Sequence, residues 1–238
     1  MRTVLINGGS RGIGAAMVRR FAKAGDSVAF TYKSSVEAAE RLAKETGALA
    51  LCADSADSCA VAAAVERVTA ERGAPAVLIN NAAISSFSLF TDLTDEEWAR
   101  IFAVNVHGAF YYSRAVLPAM ISKKAGRIIN VSSMWGTVGA SCEVHYSATK
   151  AALHGMTLAL AREVGPSGIT VNALAPGVID TEMNAALTEE DRRALSEATP
   201  LSRLGTPEEV AEAAFFLAGA GADFITGQIL GVDGGVIL

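Results

Sequence analysis

Cysteine, proline and basic charge are all scarce in this chain, and each shortage excludes a class of protein. Three cysteines (Cys52, Cys59, Cys142) among 238 residues cannot build a disulfide framework, and no two form a C-x-x-C pair. They suit a reducing compartment, so a cytoplasmic location is expected. Six prolines leave no Pro-rich linker. Lysine and arginine total 20 against 25 aspartates and glutamates, a net charge of −5, and no basic stripe offers itself to a nucleic acid. No window of ~18 apolar residues is free of charge, so no membrane span is expected. Only four uncharged residues lie between Arg2 and Asn7, too few for the apolar region of a signal peptide. His107, His145 and His154 lack metal-ligand spacing, and no metal site is expected. What is plentiful is small and apolar: 22 glycines and 51% apolar residues against 19% charged exclude disorder and allow a sizeable core.

Short apolar runs alternate with helical patterns along the whole length. Strands are expected at 3–6, 28–32, 49–52, 77–79, 127–131, 170–174 and 229–232. Between them, helices are expected at 13–23, 37–45, 61–70, 96–121, 146–163 and 208–218. The first helix places Ile13, Met17, Val18 and Phe21 on one side and stops near Gly25. The strands are apolar without alternation, as in a parallel sheet covered on both faces. The pattern predicts the α/β class: a Rossmann-type, doubly wound fold with a seven-stranded parallel sheet and helices on both faces, in one domain over 1–238. Residues 84–95 and 180–206 lack strands. The second stretch is polar, and in such a fold it sits beside the carboxyl ends of the strands as a substrate lid.

The first strand runs into a turn whose Gly8, Gly12 and Gly14 follow the spacing G-x-x-x-G-x-G. Gly8 allows a tight turn, Gly12 keeps a side chain away from a pyrophosphate, and Gly14 permits close packing. The helix N-terminus behind them offers N–H groups to an anion, so this segment, with Ser10, Arg11 and Ile13, is the expected dinucleotide site. An acid at the end of the second strand would hold the 2′-hydroxyl of NAD. None occurs there before Glu37; Lys33 and Ser34 stand in its place, and Arg11 lies in the turn. That set suits a 2′-phosphate, so NADP(H) is the expected cofactor, although Lys33 and Arg11 also read as solvated surface charges. Asp54, followed by Ser55, can accept from an adenine amino group, or it caps a helix beginning at Ser55. Asn80, Asn81 and Ala82 follow the fourth strand, where small residues let a flat ligand lie on the backbone and amides tie strands together.

Ser133, Tyr146 and Lys150 form the sharpest constellation. Tyr146 and Lys150 are i,i+4 on one helix and share a face. An ammonium beside a phenol lowers the pKa of the phenol toward a useful range. Ser133 follows the fifth strand, where its hydroxyl reaches a substrate oxygen. Together with the glycine turn, Asn105, the stretch from Val171 through Pro176 and Gly177, Ile179, Thr181 and the Thr226–Gly235 region, these residues resemble the classical short-chain dehydrogenase/reductase family over nearly the full chain. Within it they are most similar to the 3-oxoacyl-[acyl-carrier-protein] reductases.

The resemblance implies roles. Tyr146 would give a proton to a ketone oxygen, Ser133 would polarise the carbonyl, and Lys150 would hold the nicotinamide ribose. Asn105 would hold a water in a proton relay; on the residues alone it is equally a cap or kink in a long helix. Pro176, Gly177, Ile179 and Thr181 would border the nicotinamide. The helices bearing Asn105 and Tyr146 would pair across one two-fold and the C-terminal region across another, giving a homotetramer. The expected partner is an acyl carrier protein, an acidic protein steered by Lys123, Lys124 and Arg127, unless those cations serve only solubility.

The departures from the family pattern keep a second reading open. Asn7 replaces the usual threonine, Ala83 a glycine, Glu143 a glutamine and His145 an asparagine. Ser167 stands where a second basic residue is expected, and the bulky Trp135 lies near Ser133. Glu143, Ser167 and Trp135 favour a small-molecule ketone, sugar or steroid as substrate. A non-catalytic dinucleotide-binding regulator would have lost Tyr146 or Lys150 first, and both are present.

Overall fold

The computed structural model describes residues 2–184 and 187–236. Its strands are β1 (Thr3–Asn7), β2 (Ser27–Tyr32), β3 (Leu49–Cys52), β4 (Val77–Asn80), β5 (Gly126–Val131), β6 (Ile169–Pro176) and β7 (Ile229–Val232). They form one sheet in the order β3-β2-β1-β4-β5-β6-β7, and every neighbouring pair is parallel. The lack of alternation in these strands has a direct cause. Val4 and Ile6 enter one apolar cluster while Leu5 enters another on the opposite face, and Val77, Ile79 and Leu78 divide the same way. Both faces of each strand are dry, so both sets of side chains are apolar.

The helices are α1 (Gly12–Lys23), α2 (Val36–Thr46), α3 (Ser58–Arg72), α4 (Asp95–Phe102), α5 (Gly108–Lys123), α6 (Trp135–Val138), α7 (Val144–Val164), α8 (Glu189–Ala198) and α9 (Pro207–Leu217). Met17, Val18 and Phe21 of α1 share the first cluster with Val210, Ala214 and Leu217 of α9. Val61, Val65 and Val68 of α3 share the second with Tyr112 and Val116 of α5 and Val164 of α7. Threonine caps set several starts: Thr94, Thr188 and Thr206 each accept from the N–H three residues on, and the acid at that position answers the threonine N–H. No helix among the described residues is long and apolar enough to cross a membrane.

Two expectations change. The single helix expected over 96–121 is α4 and α5 joined by a π-helical segment, Ala103–His107, in which Gly108 N–H donates to the Ala103 carbonyl. Apolar spacing cannot register this, because each half keeps its own period and only the phase between them shifts. The 180–206 stretch contains a helix, α8, and its base is closed by a parallel bridge between Ile179 and Gly205. Residues 185 and 186 of that stretch lie outside the described residues.

Candidate active site

Because every strand is parallel, the residues that follow them collect at one edge of the sheet. Gly8–Gly14 follow β1, Lys33 and Ser34 follow β2, Asp54 and Ser55 follow β3, Asn81 and Ala82 follow β4, and Ser133 follows β5. Pro176 ends β6, and Gly177, Ile179 and Thr181 come next. Thr181 lies across the edge from the glycine turn: a Cβ on Gly12 would stand 3.4 Å from its Cγ2.

The glycine turn is packed against itself. Gly8 and Gly12 have φ of +66° and +49°, in the left-handed region. A Cβ at Gly14 would lie 2.1 Å from the Gly8 carbonyl oxygen, and one at Gly8 would lie 2.7 Å from Ala82 Cα. Asn7 fixes the arrangement. Its Oδ1 accepts from the N–H groups of Asn81 and Ala82 at 2.7 and 2.6 Å, and the Asn81 amide donates to the Gly8 carbonyl at 2.8 Å. Helix α1 then starts with no side-chain cap and no acid in its first turn. Uncapped N–H groups at a positive dipole end fit the pyrophosphate of a dinucleotide. The two cations expected near a 2′-phosphate are paired with carboxylates: Lys33 with Asp54 at 2.5 Å and Arg11 with Glu182 at 3.3 Å. Asp54 does not cap the following helix. That helix begins at Ser58, and Asp57 caps it by accepting from the N–H groups of Cys59 and Ala60. Ser55 is buried, with its Cβ beneath Gly108.

A row of side-chain amides braces the floor of the site. Asn7, Asn80 and Asn130 occupy the same level on β1, β4 and β5. Asn7 donates to Asn80 at 3.1 Å, Asn80 to Asn130 at 2.9 Å, and Asn130 to the Thr157 hydroxyl on α7 at 2.8 Å. All three asparagines are buried, so these bonds are made in a low dielectric and leave few polar atoms unpaired.

Above this floor, Ser133, Tyr146 and Lys150 are brought together, all buried. Ser133 lies near enough to the Tyr146 phenol to lower its pKa, and the Lys150 ammonium lies 5.4 Å from the centre of the Tyr146 ring. Lys150 Nζ donates to the Val131 carbonyl at 2.8 Å. Burial sets the protonation of both groups. It pushes the Tyr146 phenol up to about 12, against the lowering effect of Ser133 and with a small rise from the Glu143 carboxylate. It pulls the Lys150 ammonium down to about 7. The expected depression of the Tyr146 phenol by Lys150 is therefore reversed. Desolvation of the phenolate is the largest cause, and Lys150 is not among the groups that lower the phenol.

The Asn105 side chain is fully engaged with protein. It accepts from Ile84 N–H and donates to the Ile84 carbonyl, each at 2.9 Å, and donates to the Thr149 hydroxyl at 3.1 Å. Trp135 opens α6, and its N–H donates to Ser133 Oγ at 3.2 Å.

Residues 8–237 match a family model described as Enoyl-(Acyl carrier protein) reductase. A short-chain dehydrogenase/reductase from Serratia marcescens superposes with a TM-score of 0.93 at 38% identity, covering 99% of this chain and 97% of that one. The chain belongs to the short-chain dehydrogenase/reductase family. The 3-oxoacyl-[acyl-carrier-protein] reductase FabG of Pseudomonas aeruginosa is 40% identical to it over 244 residues, covering 100% of this chain and 98% of the relative. The Escherichia coli protein of that name is 38% identical over 239 residues, with 100% and 98% covered. A 3-oxoacyl-[acyl-carrier protein] reductase from Brucella melitensis superposes with a TM-score of 0.92 at 35% identity, over 98% of this chain and 90% of that one. Membership of this oxidoreductase family implies a nicotinamide dinucleotide, which the glycine turn fits.

The cations expected to steer a carrier can be placed on the sheet of this short-chain dehydrogenase/reductase. Lys123 and Lys124 end α5, and Arg127 lies at the start of β5. Ser133 follows the other end of that strand. The three cations thus stand at the amino edge of the sheet, opposite Tyr146 of the same chain, and Arg127 is paired with Asp223 at 2.5 Å. Five contacts around the site are not signalled by the motifs: Ser85 with Glu143, Ser86 with His145, Thr149 with Asn105, and Ser132 with both His154 and the Lys150 carbonyl. The closely spaced serines at 85, 86 and 88, following a strand that ends in Asn80, were the available signal.

Proposed function

We propose that the protein reduces a 3-oxoacyl group on an acyl carrier protein to the 3-hydroxyacyl form, with NADPH as reductant. The observation that carries the reading is the gathering of buried Ser133, Tyr146 and Lys150, with Lys150 Nζ 5.4 Å from the Tyr146 ring. Full-length similarity to reductases of that name supports the substrate. A reduced nicotinamide dinucleotide, when bound, supplies the hydride that reaches the carbonyl carbon. Tyr146 holds its proton at neutral pH and gives it to the carbonyl oxygen as charge develops there. Ser133 donates a hydrogen bond to the same oxygen. Lys150, with a pKa near neutrality, takes up and releases protons beside the phenol and holds the ribose hydroxyls. Asn105 anchors Ile84, fixing the loop after β4 against α7.

The absence of an acid after β2, with Lys33 and Ser34 there and Arg11 in the turn, supports NADPH over NADH. Charge-assisted bonds to a 2′-phosphate would be worth roughly 1–3 kcal/mol. Titration with both cofactors tests this, and equal affinity defeats it. A homotetramer is supported by exposed Trp98, Phe110 and Leu158 on α4, α5 and α7, and by Phe216 and Phe224 near the C-terminus.

The amino-edge position of Lys123, Lys124 and Arg127 favours a second reading, a free small ketone as substrate. Turnover with NADPH on carrier-linked, coenzyme A-linked and free 3-oxo substrates separates the two. A carrier-linked substrate with the highest kcat/KM supports the first, and a superior free ketone supports the second.

A further inference from the structure

Glu143 is the N-cap of α7, yet its side chain makes no capping bond. It reaches instead to Ser85, whose hydroxyl donates to Glu143 Oε1 at 2.6 Å. The residues around Ser85 are themselves fixed. Ile84 is held by Asn105 at both its N–H and its carbonyl, Ser86 hydrogen-bonds His145 Nε2 at 2.7 Å, and Ser88 N–H donates to the Cys142 carbonyl at 2.9 Å. The carboxylate is therefore fixed in place, unlike a freely moving surface acid. Helical spacing puts Glu143, Tyr146 and Lys150 at i, i+3 and i+7, on one face. Among the described residues, no lysine or arginine lies within ion-pair distance of Glu143. A half-buried, unpaired charge is poorly screened, and its field reaches Tyr146, whose phenol it helps to raise.

We infer that Glu143 is a specificity residue of the carbonyl site: its carboxylate, held by Ser85 one turn before Tyr146, turns away substrates that carry a negative charge beside the carbonyl. The inference rests on carbonyl reduction at Tyr146 and narrows the substrate class to neutral ketones, esters and thioesters. A 3-oxoacyl thioester meets that condition, whereas the free 3-oxo acid does not. Like charges a few ångströms apart in a partly dry site repel strongly enough for at least tenfold discrimination.

The test compares ethyl acetoacetate with acetoacetate, which present the same ketone with and without a charge. Glu143→Gln keeps the acceptor for Ser85 and removes only the charge. Wild type should favour the ester, and the ester-to-acid ratio of kcat/KM should fall about tenfold in the variant. Raising ionic strength should lower the same ratio in wild type, a readout that needs no variant. A ratio that moves with neither salt nor substitution, while the ester is reduced, overturns the inference and leaves carbonyl reduction standing. If wild type reduces neither compound, the proposed reduction fails and the inference falls with it.

Discussion

Lys124 and Lys150 stand at opposite ends of β5, and the protein treats their charges in opposite ways. Lys124 projects into water from the end of α5, in the left-handed conformation with φ of +51°. Lys150 is only 2% exposed, with a backbone carbonyl as its hydrogen-bond partner and a pKa drawn down to about 7 by burial. The sheet explains the contrast. A parallel sheet offers a crevice at its carboxyl edge, and there the chain has gathered asparagines, serines, a phenol and an ammonium out of water. At the amino edge the same kind of residue stays exposed to water. Burial, more than residue type, brings the charge of Lys150 within reach of neutrality.

The largest expected effect lies at the carboxyl edge. Tyr146→Phe removes one hydroxyl and little volume, so the fold should persist while ketone reduction falls roughly 10²–10⁴-fold, the usual scale of general acid catalysis. Turnover within a few-fold of wild type would remove the chemistry from that edge. Next is the amide row. Asn80→Ala leaves the Asn7 amide and the Asn130 carbonyl oxygen buried without their partner, at a cost of about 2–4 kcal/mol in denaturant unfolding. A loss below ~1 kcal/mol would show that the row is decorative.

A smaller effect concerns Lys150 and pH. Its folded pKa lies near 7 and its unfolded value near 10.5. Between those values the unfolded chain binds more protons, so this group makes stability rise with pH. The contribution is complete above the unfolded value and is lost as pH falls through the folded one. Tyr146 acts only higher, since its folded pKa of about 12 exceeds its unfolded 10.0 and removes stability above that unfolded value. From pH 7.5 to 9.5, wild type should therefore gain about 2–3 kcal/mol relative to Lys150→Met. A flat difference would mean that Lys150 is not desolvated. The smallest effect belongs to the amino edge. Lys124→Gly relieves a positive φ and should stabilise the protein by up to ~1 kcal/mol, with turnover of a small ketone unmoved. A fall in that turnover would show that the two edges communicate.

The sheet, its seven strands and the gathering of Ser133, Tyr146 and Lys150 were legible because each rests on a local pattern: a short apolar run, a glycine spacing, an i,i+4 pair. What was not legible depends on partners distant in sequence. The direction in which Tyr146 shifts follows from total burial, which no neighbour in sequence reveals. The Ser85–Glu143 bond joins residues 58 apart. The position of Asn7 drew attention as a departure, but its two backbone partners after β4 appear only once β1 and β4 lie side by side.

The π-helical segment at Ala103–His107 makes this stretch sensitive to length more than to composition. Its extra residue sets the rotational phase between α4 and α5. Deleting one residue there would heal the helix into regular form with the phase beyond it nearly kept, whereas inserting a further one would turn everything beyond it by about 100°. Tyr112, buried and bonded to Thr31 at 2.9 Å, and Ser113, bonded to Asn80 at 3.1 Å, would swing off the sheet together. Substitutions at exposed positions of these helices can drift one at a time. A further insertion in the five residues between them would therefore have to be answered by a deletion nearby to keep Tyr112 and Ser113 on the sheet.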